Sequence, residues 1–161
     1  MTFSAAIRAV PALQNWHRSG IDALEDSHRP MLDAPTATGS IDIDKALDSP
    51  GLGMHNAHRY DYGVGLPPRV HVRGTPGPRP SRSERVTWIE VHPARTDQIS
   101  AMLAKRQSLK DWMVTNSESL LRMTDEFVWI PSDRQDIPPR DPRRKQLTGQ
   151  IRLCNPPCRL E

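Results

Sequence analysis

The chain has little of what staples a small secreted domain and nothing that would cross a bilayer as a helix. Its 161 residues include only two cysteines, Cys154 and Cys158, in the segment Cys-Asn-Pro-Pro-Cys. A metal held there would need two further ligands that this segment does not offer. The pair is therefore expected to be two free thiols in a flexible tail, as in a reducing cytoplasm. No run of about 18 apolar residues occurs, so no membrane-spanning helix and no membrane partner are expected. The segment Met1-Thr2-Phe3-Ser4-Ala5-Ala6-Ile7-Arg8 has neither a cationic leader nor a sustained apolar run, so no signal peptide is expected and the expected location is cytoplasmic. Aromatics are sparse as well, with four Trp, two Tyr and two Phe against 16 Pro and 9 Gly. That composition places much of the length in loops and keeps the core modest. Lysine is the scarce cation: 18 of the 22 basic residues are arginine, which grips phosphates and carboxylates with two parallel hydrogen bonds. With a net charge of only +3, this is compatible with a nucleic-acid partner without requiring one.

Phosphate-cradling glycine motifs are missing too. There is no Gly-x-Gly-x-x-Gly and no P-loop, and Gly63-Val64-Gly65-Leu66 lacks the lysine and following helix that such a cradle needs. No Ser-His-Asp arrangement stands out. The length supports one domain. It divides into a helical or irregular N-terminal segment (1–39), an α/β core (40–131) and a basic, proline-rich C-terminal segment (132–161).

Within residues 1–29, Ala5, Ile7, Val10, Leu13, Ile21 and Leu24 are weakly helical, interrupted by Pro11 and Gly20. Ser40 is placed to cap a short helix through Ile41, Ile43 and Leu47 that ends at Ser49-Pro50-Gly51. Residues 58–66 read as a strand, with Tyr60, Tyr62 and Val64 on one face and Asp61, Gly63 and Gly65 on the other. Residues 69–73 read as a short polar edge strand, and the prolines of 74–81 bar that stretch from a sheet. Residues 86–92 form the strongest strand, apolar on both faces except at Thr87 and Glu90, which places it centrally. Pro93 ends it. Thr96 or Asp97 then caps a helix to about Asn116, with Ile99, Met102, Leu103, Leu109, Trp112 and Met113 at helical spacing. Residues 126–130 form the last strand, and the unit from 86 to 130 is expected to be a right-handed parallel crossover. The fold class is α/β, a small mixed sheet of three to four strands with a long crossover helix. Residues 136–147 make a basic segment with about one helical turn.

Two acids interrupt these apolar strands, Asp61 in the first and Glu90 in the central one. A buried, unpaired carboxylate is costly, and two of them on neighbouring strands suggest a divalent-metal site. Ordinary structural roles compete with that idea. Asp61 could pair with Arg59 or Arg85, and Glu90 with Lys105 or Arg106. His92 could be a hydrogen-bonded strand end, and Lys105 a solvated charge. His55 and His58, with His92 and Asp61, would suit Zn²⁺ or Mn²⁺, but that set ranks below a solvated pair of loop histidines.

The order helix, strand, strand, long helix, strand, with Asp61, Glu90-x-His92 and Lys105 in those places, resembles the PD-(D/E)xK nuclease superfamily. Its core is a helix, three strands, a helix and a fourth strand. The segments Arg59-Tyr60-Asp61-Tyr62, Ile89-Glu90-Val91-His92-Pro93-Ala94, Leu103-Ala104-Lys105 and Ile137-Pro138-Pro139 are closer still to a group of small uncharacterised bacterial proteins, over roughly residues 40–153. The superfamily resemblance implies that Asp61 and Glu90 bind Mg²⁺ or Mn²⁺, with the Val91 carbonyl as a further oxygen. The family's water-orienting lysine lies two residues after the Glu, where this chain has His92. Lys105 on the next helix would take over, as in superfamily members whose lysine has moved there. The family's first strand has no evident counterpart before Asp61 unless part of 50–57 forms it. Arg69, Arg73, Arg79, Arg82 and Arg85 on one side, and Arg140, Arg143, Arg144 and Lys145 on the other, would meet a phosphate backbone. Both stretches are broken by prolines and crowded with like charge, so they are expected to be exposed, mobile and outside the core. The alternative is a non-catalytic module for a protein partner that keeps the fold, with Asp61 and Glu90 in a buried polar network. A third reading is a component of a bacterial defence or mobile-element locus.

Overall fold

The computed structural model describes residues 1–52, 54, 58–69 and 83–161. In chain order its elements are α1 (Phe3–Arg8), β1 (Leu32–Asp33), β2 (Gly39–Asp42), α2 (Ile43–Leu47), β3 (Tyr62–Leu66), β4 (Arg85–His92), α3 (Ile99–Asn116), α4 (Glu118–Met123), β5 (Thr124–Pro131), β6 (Arg152–Leu153) and β7 (Cys158–Arg159). Among the described residues, the main sheet has five strands in the order β2-β3-β4-β5-β6. The β2-β3 and β3-β4 pairs are antiparallel, while β4-β5 and β5-β6 are parallel. A separate parallel pair joins β1 to β7.

The apolar run of β4 does place it at the centre. Val86 and Trp88 enter one core cluster, with Phe3, Ile7, Leu13, Met102, Trp112 and Trp129. Ile89 and Val91 enter the other, with Leu32, Tyr62, Val64, Val128 and Leu160. Pro93 follows the strand, and α3 returns to a parallel β5 as expected of a strand-helix-strand crossover. The buried side of α3 is Ile99, Met102, Leu109, Trp112 and Met113. The sequence pattern does not anticipate α4, which starts where the Ser117 hydroxyl accepts the Leu120 N–H.

Several expectations change. Ser40 does not cap a helix: it lies inside β2, paired with Val64, and Asp42 caps α2 by accepting the Lys45 N–H. β2 thus supplies a strand ahead of β3, at 39–42 rather than within 50–57. Strand β3 begins only at Tyr62, because the Asp61 carbonyl accepts the Ile43 and Asp44 N–H groups at 2.9 and 3.3 Å instead of extending the ladder. Tyr60 consequently packs on the α3 side, against Phe127, whereas Tyr62 and Val64 lie on the opposite side. The N-terminal segment is helical in α1 and in a three-residue 3-10 turn at Arg29–Met31, and turns carry Leu13 and Leu24 into the two cores. The expected edge strand at 69–73 lies outside the described residues except for Arg69.

The C-terminal segment also departs from expectation. Ile137, Leu147 and Ile151 are buried in the α3-side core, so this basic stretch is docked through its few apolar residues. Cys154 and Cys158 form a disulfide rather than two free thiols, and Cys158 is buried beside β1.

Close packing across β3 gives one stability prediction. A Cβ on Gly63 would fall 2.6 Å from the Trp88 ring, and one on Gly65 2.7 Å from Phe3. Gly63→Ala is expected to lower stability by about 1–3 kcal/mol, as overpacking does, measured by urea denaturation. An unchanged midpoint would mean that Trp88 can move aside at little cost.

Candidate functional site

The β3-β4 ladder brings the two acids together. Its last pair is Tyr62–Ile89, and Asp61 and Glu90 are the next residues beyond it on each chain. The Asp61 carboxylate reaches across so that Oδ2 accepts the Val91 N–H at 2.8 Å. That link occupies an N–H at the end of the ladder and fixes Asp61 where the strand bends. It pairs with neither Arg59 nor Arg85. Arg59 binds Asp44, Asp48 and the Met54 carbonyl, and Arg85 binds Asp125.

Glu90 is the most constrained acid of the pair. Its side chain is 1% exposed, and Lys105 Nζ on α3 donates to its Oε1. The other oxygen, Oε2, is buried and has no hydrogen-bond partner among the described residues. Such an orphan costs free energy unless another ligand meets it. Burial first, and the nearby Asp61 charge second, push the Glu90 carboxyl up to about 8, against the opposing pull of Lys105. Burial likewise raises Asp61, countered by the Val91 N–H. Two neighbouring carboxyls that both resist ionisation are what a divalent cation would relieve.

His92 and Lys105 are the two basic side chains beside Glu90. The His92 side chain is 38% exposed, with Nδ1 3.9 Å from Glu90 Oε1 and Nε2 3.2 Å from Gln98 Oε1. Lys105 is 18% exposed and makes its only described ion pair with Glu90. The backbone at His92 is held by the Trp129 indole N–H, which donates to its carbonyl at 3.0 Å.

Among the described residues, no group of three or more His, Cys, Asp and Glu side chains is placed to hold a metal. Two carboxylates do suit Mg²⁺ or Mn²⁺, whose remaining positions are filled by water and substrate oxygens. The histidine-rich alternative gains nothing: His58 is exposed and His55 lies outside the described residues. Tyr60 is a neighbour that the sequence pattern hides. It is fully buried, its hydroxyl has no partner among the described residues, and burial followed by the Glu90 charge raises its pKa. Alternation along the strand would have placed it with Tyr62, so only the bend at Asp61 brings it here.

The arginine candidates separate into different roles. Arg85 is 7% exposed and donates to Asp125 Oδ2, the Pro67 carbonyl and the Glu161 carbonyl at 2.6, 3.1 and 2.6 Å, which makes it part of the packed structure rather than an exposed, mobile cation. Arg69 shares Asp125 at 2.8 Å but stays partly open to solvent. Arg143 pairs with Asp141 in an exposed turn, Arg144 donates to the Ile137 carbonyl, and Lys145 is exposed, as is Arg140. Arg73, Arg79 and Arg82 lie outside the described residues. No family model, no curated protein and no solved structure matches the chain, and no helix among the described residues is long and apolar enough to cross a membrane.

Proposed function

We propose that the protein is a divalent-metal-dependent, PD-(D/E)xK-type nuclease that hydrolyses phosphodiesters of nucleic acid at Asp61 and Glu90. The observation that carries this reading is Glu90 Oε2, a buried carboxylate oxygen with no partner among the described residues, beside a second acid and a lysine. Support also comes from the order α1, β2, β3, β4, α3, β5, a helix, three strands, a helix and a strand with the short β1, α2 and α4 interspersed. Asp61 immediately precedes β3 and Glu90 lies near the end of β4, next in each chain to the antiparallel pair Tyr62–Ile89.

Asp61 and Glu90 would hold Mg²⁺ or Mn²⁺, with the Val91 carbonyl as a third protein oxygen. When bound, such an ion supplies Lewis acidity toward a phosphoryl oxygen and counter-charge for the developing anion. The chain's own groups do the rest. Lys105, anchored on Glu90, directs its ammonium hydrogens toward the reacting water and fixes its lone pairs. His92, partly open to solvent and tethered through Gln98, stands 3.9 Å from Glu90 as a second group able to carry a proton. The buried side chains behind Glu90 keep the surrounding dielectric low, so each of these interactions counts for more than in water. Arg69, Arg143, Arg144 and Lys145 would meet the phosphate backbone.

Purified protein is expected to cut DNA or RNA oligonucleotides in Mg²⁺ or Mn²⁺ and to stop in chelator. Asp61→Asn and Lys105→Met should each reduce the rate by about 10²–10³-fold, the usual cost of losing one electrostatic stabiliser. A wild-type protein that cuts no DNA or RNA with either ion would overturn the proposal. The second reading, a non-catalytic module for a protein partner, is favoured by the Glu90–Lys105 pair, which partly compensates the buried charge without any ion, and by His92 standing two residues after Glu90.

A further inference from the structure

On the other side of Lys105 along α3, the helix borders a second feature, a cleft of about 550 Å³ between α3, α4, the start of β5 and residues 149–152. That volume falls within the range of small-molecule sites. Neither Asp61 nor Glu90 lines it.

The charges around this cleft do not cancel. Asp125 is taken up by Arg85 and Arg69, and Glu126 accepts from Arg152 through both of its oxygens at 2.8 Å. Two cations one helical turn apart remain, Arg106 and Lys110. Lys110 meets no carboxylate among the described residues. The Arg106 guanidinium lies over the Phe127 ring, 5.2 Å from its centre, and has one weak side-chain acceptor, Gln150 Oε1 at 3.3 Å. A guanidinium oriented by an aromatic ring, with one weak acceptor and no carboxylate among the described residues, beside an ammonium likewise without one, is prepared for an anion that accepts several hydrogen bonds. A lone carboxylate would leave one of the two charges uncompensated. A phosphate monoester, at about −1.5 to −2 near neutral pH, matches both. Leu121 and Ile151, also on the wall, offer apolar surface to the organic part of such a molecule.

We infer that the Arg106–Lys110 cleft binds the phosphate monoester of a small organic molecule. The site is separate from the hydrolytic reading and does not depend on it. Calorimetric titration of the full chain tests it with four probes: AMP, inorganic phosphate, adenosine, and an oligonucleotide without terminal phosphate. AMP is expected to bind with millimolar or tighter affinity, phosphate to compete with it, and adenosine to give no heat. Lys110→Ala should weaken AMP roughly tenfold, the loss of one charge-assisted hydrogen bond. Arg106→Lys, which keeps the charge and the packing stem but loses the fork, should weaken it as well. Arg134→Ala removes an exposed cation that does not line the cleft and should leave AMP binding unchanged. The inference is overturned if AMP does not bind, if adenosine binds equally well, or if Arg134→Ala is as damaging as Lys110→Ala. It is also overturned if only the oligonucleotide binds, which would make the cleft a contact for a nucleic-acid strand.

Discussion

Glu90→Gln is expected to raise the melting temperature at pH 8 in chelator and to abolish the further rise that Mn²⁺ gives the wild type. The Glu90 carboxyl is pushed up to about 8 from its ordinary 4.5 by burial and by Asp61. Between those values the folded protein holds a proton that the unfolded chain has released, so wild-type stability falls as pH rises from about 4.5 to about 8. Glutamine keeps the shape, carries no charge and removes that dependence, an effect on the order of a few kcal/mol at pH 8. Lys105 is not stranded by the change, because its side chain reaches solvent. An ion that binds only the folded wild type adds about 2.7 kcal/mol at a hundredfold excess over its Kd, and the variant, short of one ligand, should gain little. Melting curves at pH 5 and pH 8, with and without Mn²⁺, separate the outcomes. A variant less stable than wild type at both values, by on the order of 3 kcal/mol, and indifferent to Mn²⁺ would make Glu90 a structural anchor for Lys105. That result would support the interaction-module reading.

Arg85→Met is expected to cost about 3 kcal/mol or more in urea denaturation while leaving nucleic-acid affinity of the folded protein unchanged. The guanidinium joins Asp125 on β5, the Pro67 carbonyl after β3 and the Glu161 carbonyl at the C-terminus. Methionine fills much of the stem's volume but satisfies none of these acceptors. Asp125 would then rely on Arg69 alone, which is partly exposed. Normal stability with weakened oligonucleotide binding would instead return Arg85 to the phosphate-contacting set.

Local pattern made β4, α3 and β5 legible. The Val, Ile and Trp content of residues 86–91, the stop at Pro93 and the helical spacing from Ile99 to Met113 depend on neighbours within a few positions, and short-range sterics and burial decide them in nearly any context. The same local logic exposes Asp61 and Glu90 as acids out of place in apolar strands. Strand β2 was not legible, since Gly39-Ser40-Ile41-Asp42 has no strong strand preference and forms one because β3 offers it an open edge. The position of Tyr60 follows from a bend that α2 imposes through the Asp61 carbonyl.

The sequence by itself determined the α/β class, the central strand, the long helix after it and the two acids with their nearby lysine. Tertiary structure alone decided which cations are spoken for. Arg85 is structural because partners 40 and 76 residues away converge on it, and Arg106 meets Phe127 and Gln150 but, among the described residues, no carboxylate. It also decided that Glu90 keeps one oxygen unsatisfied and that Cys154 and Cys158 are joined. Periodicity reports the side of an element that is buried, whereas the pairing of a charge depends on distances between residues remote in the chain, and these exist only once the sheet has assembled.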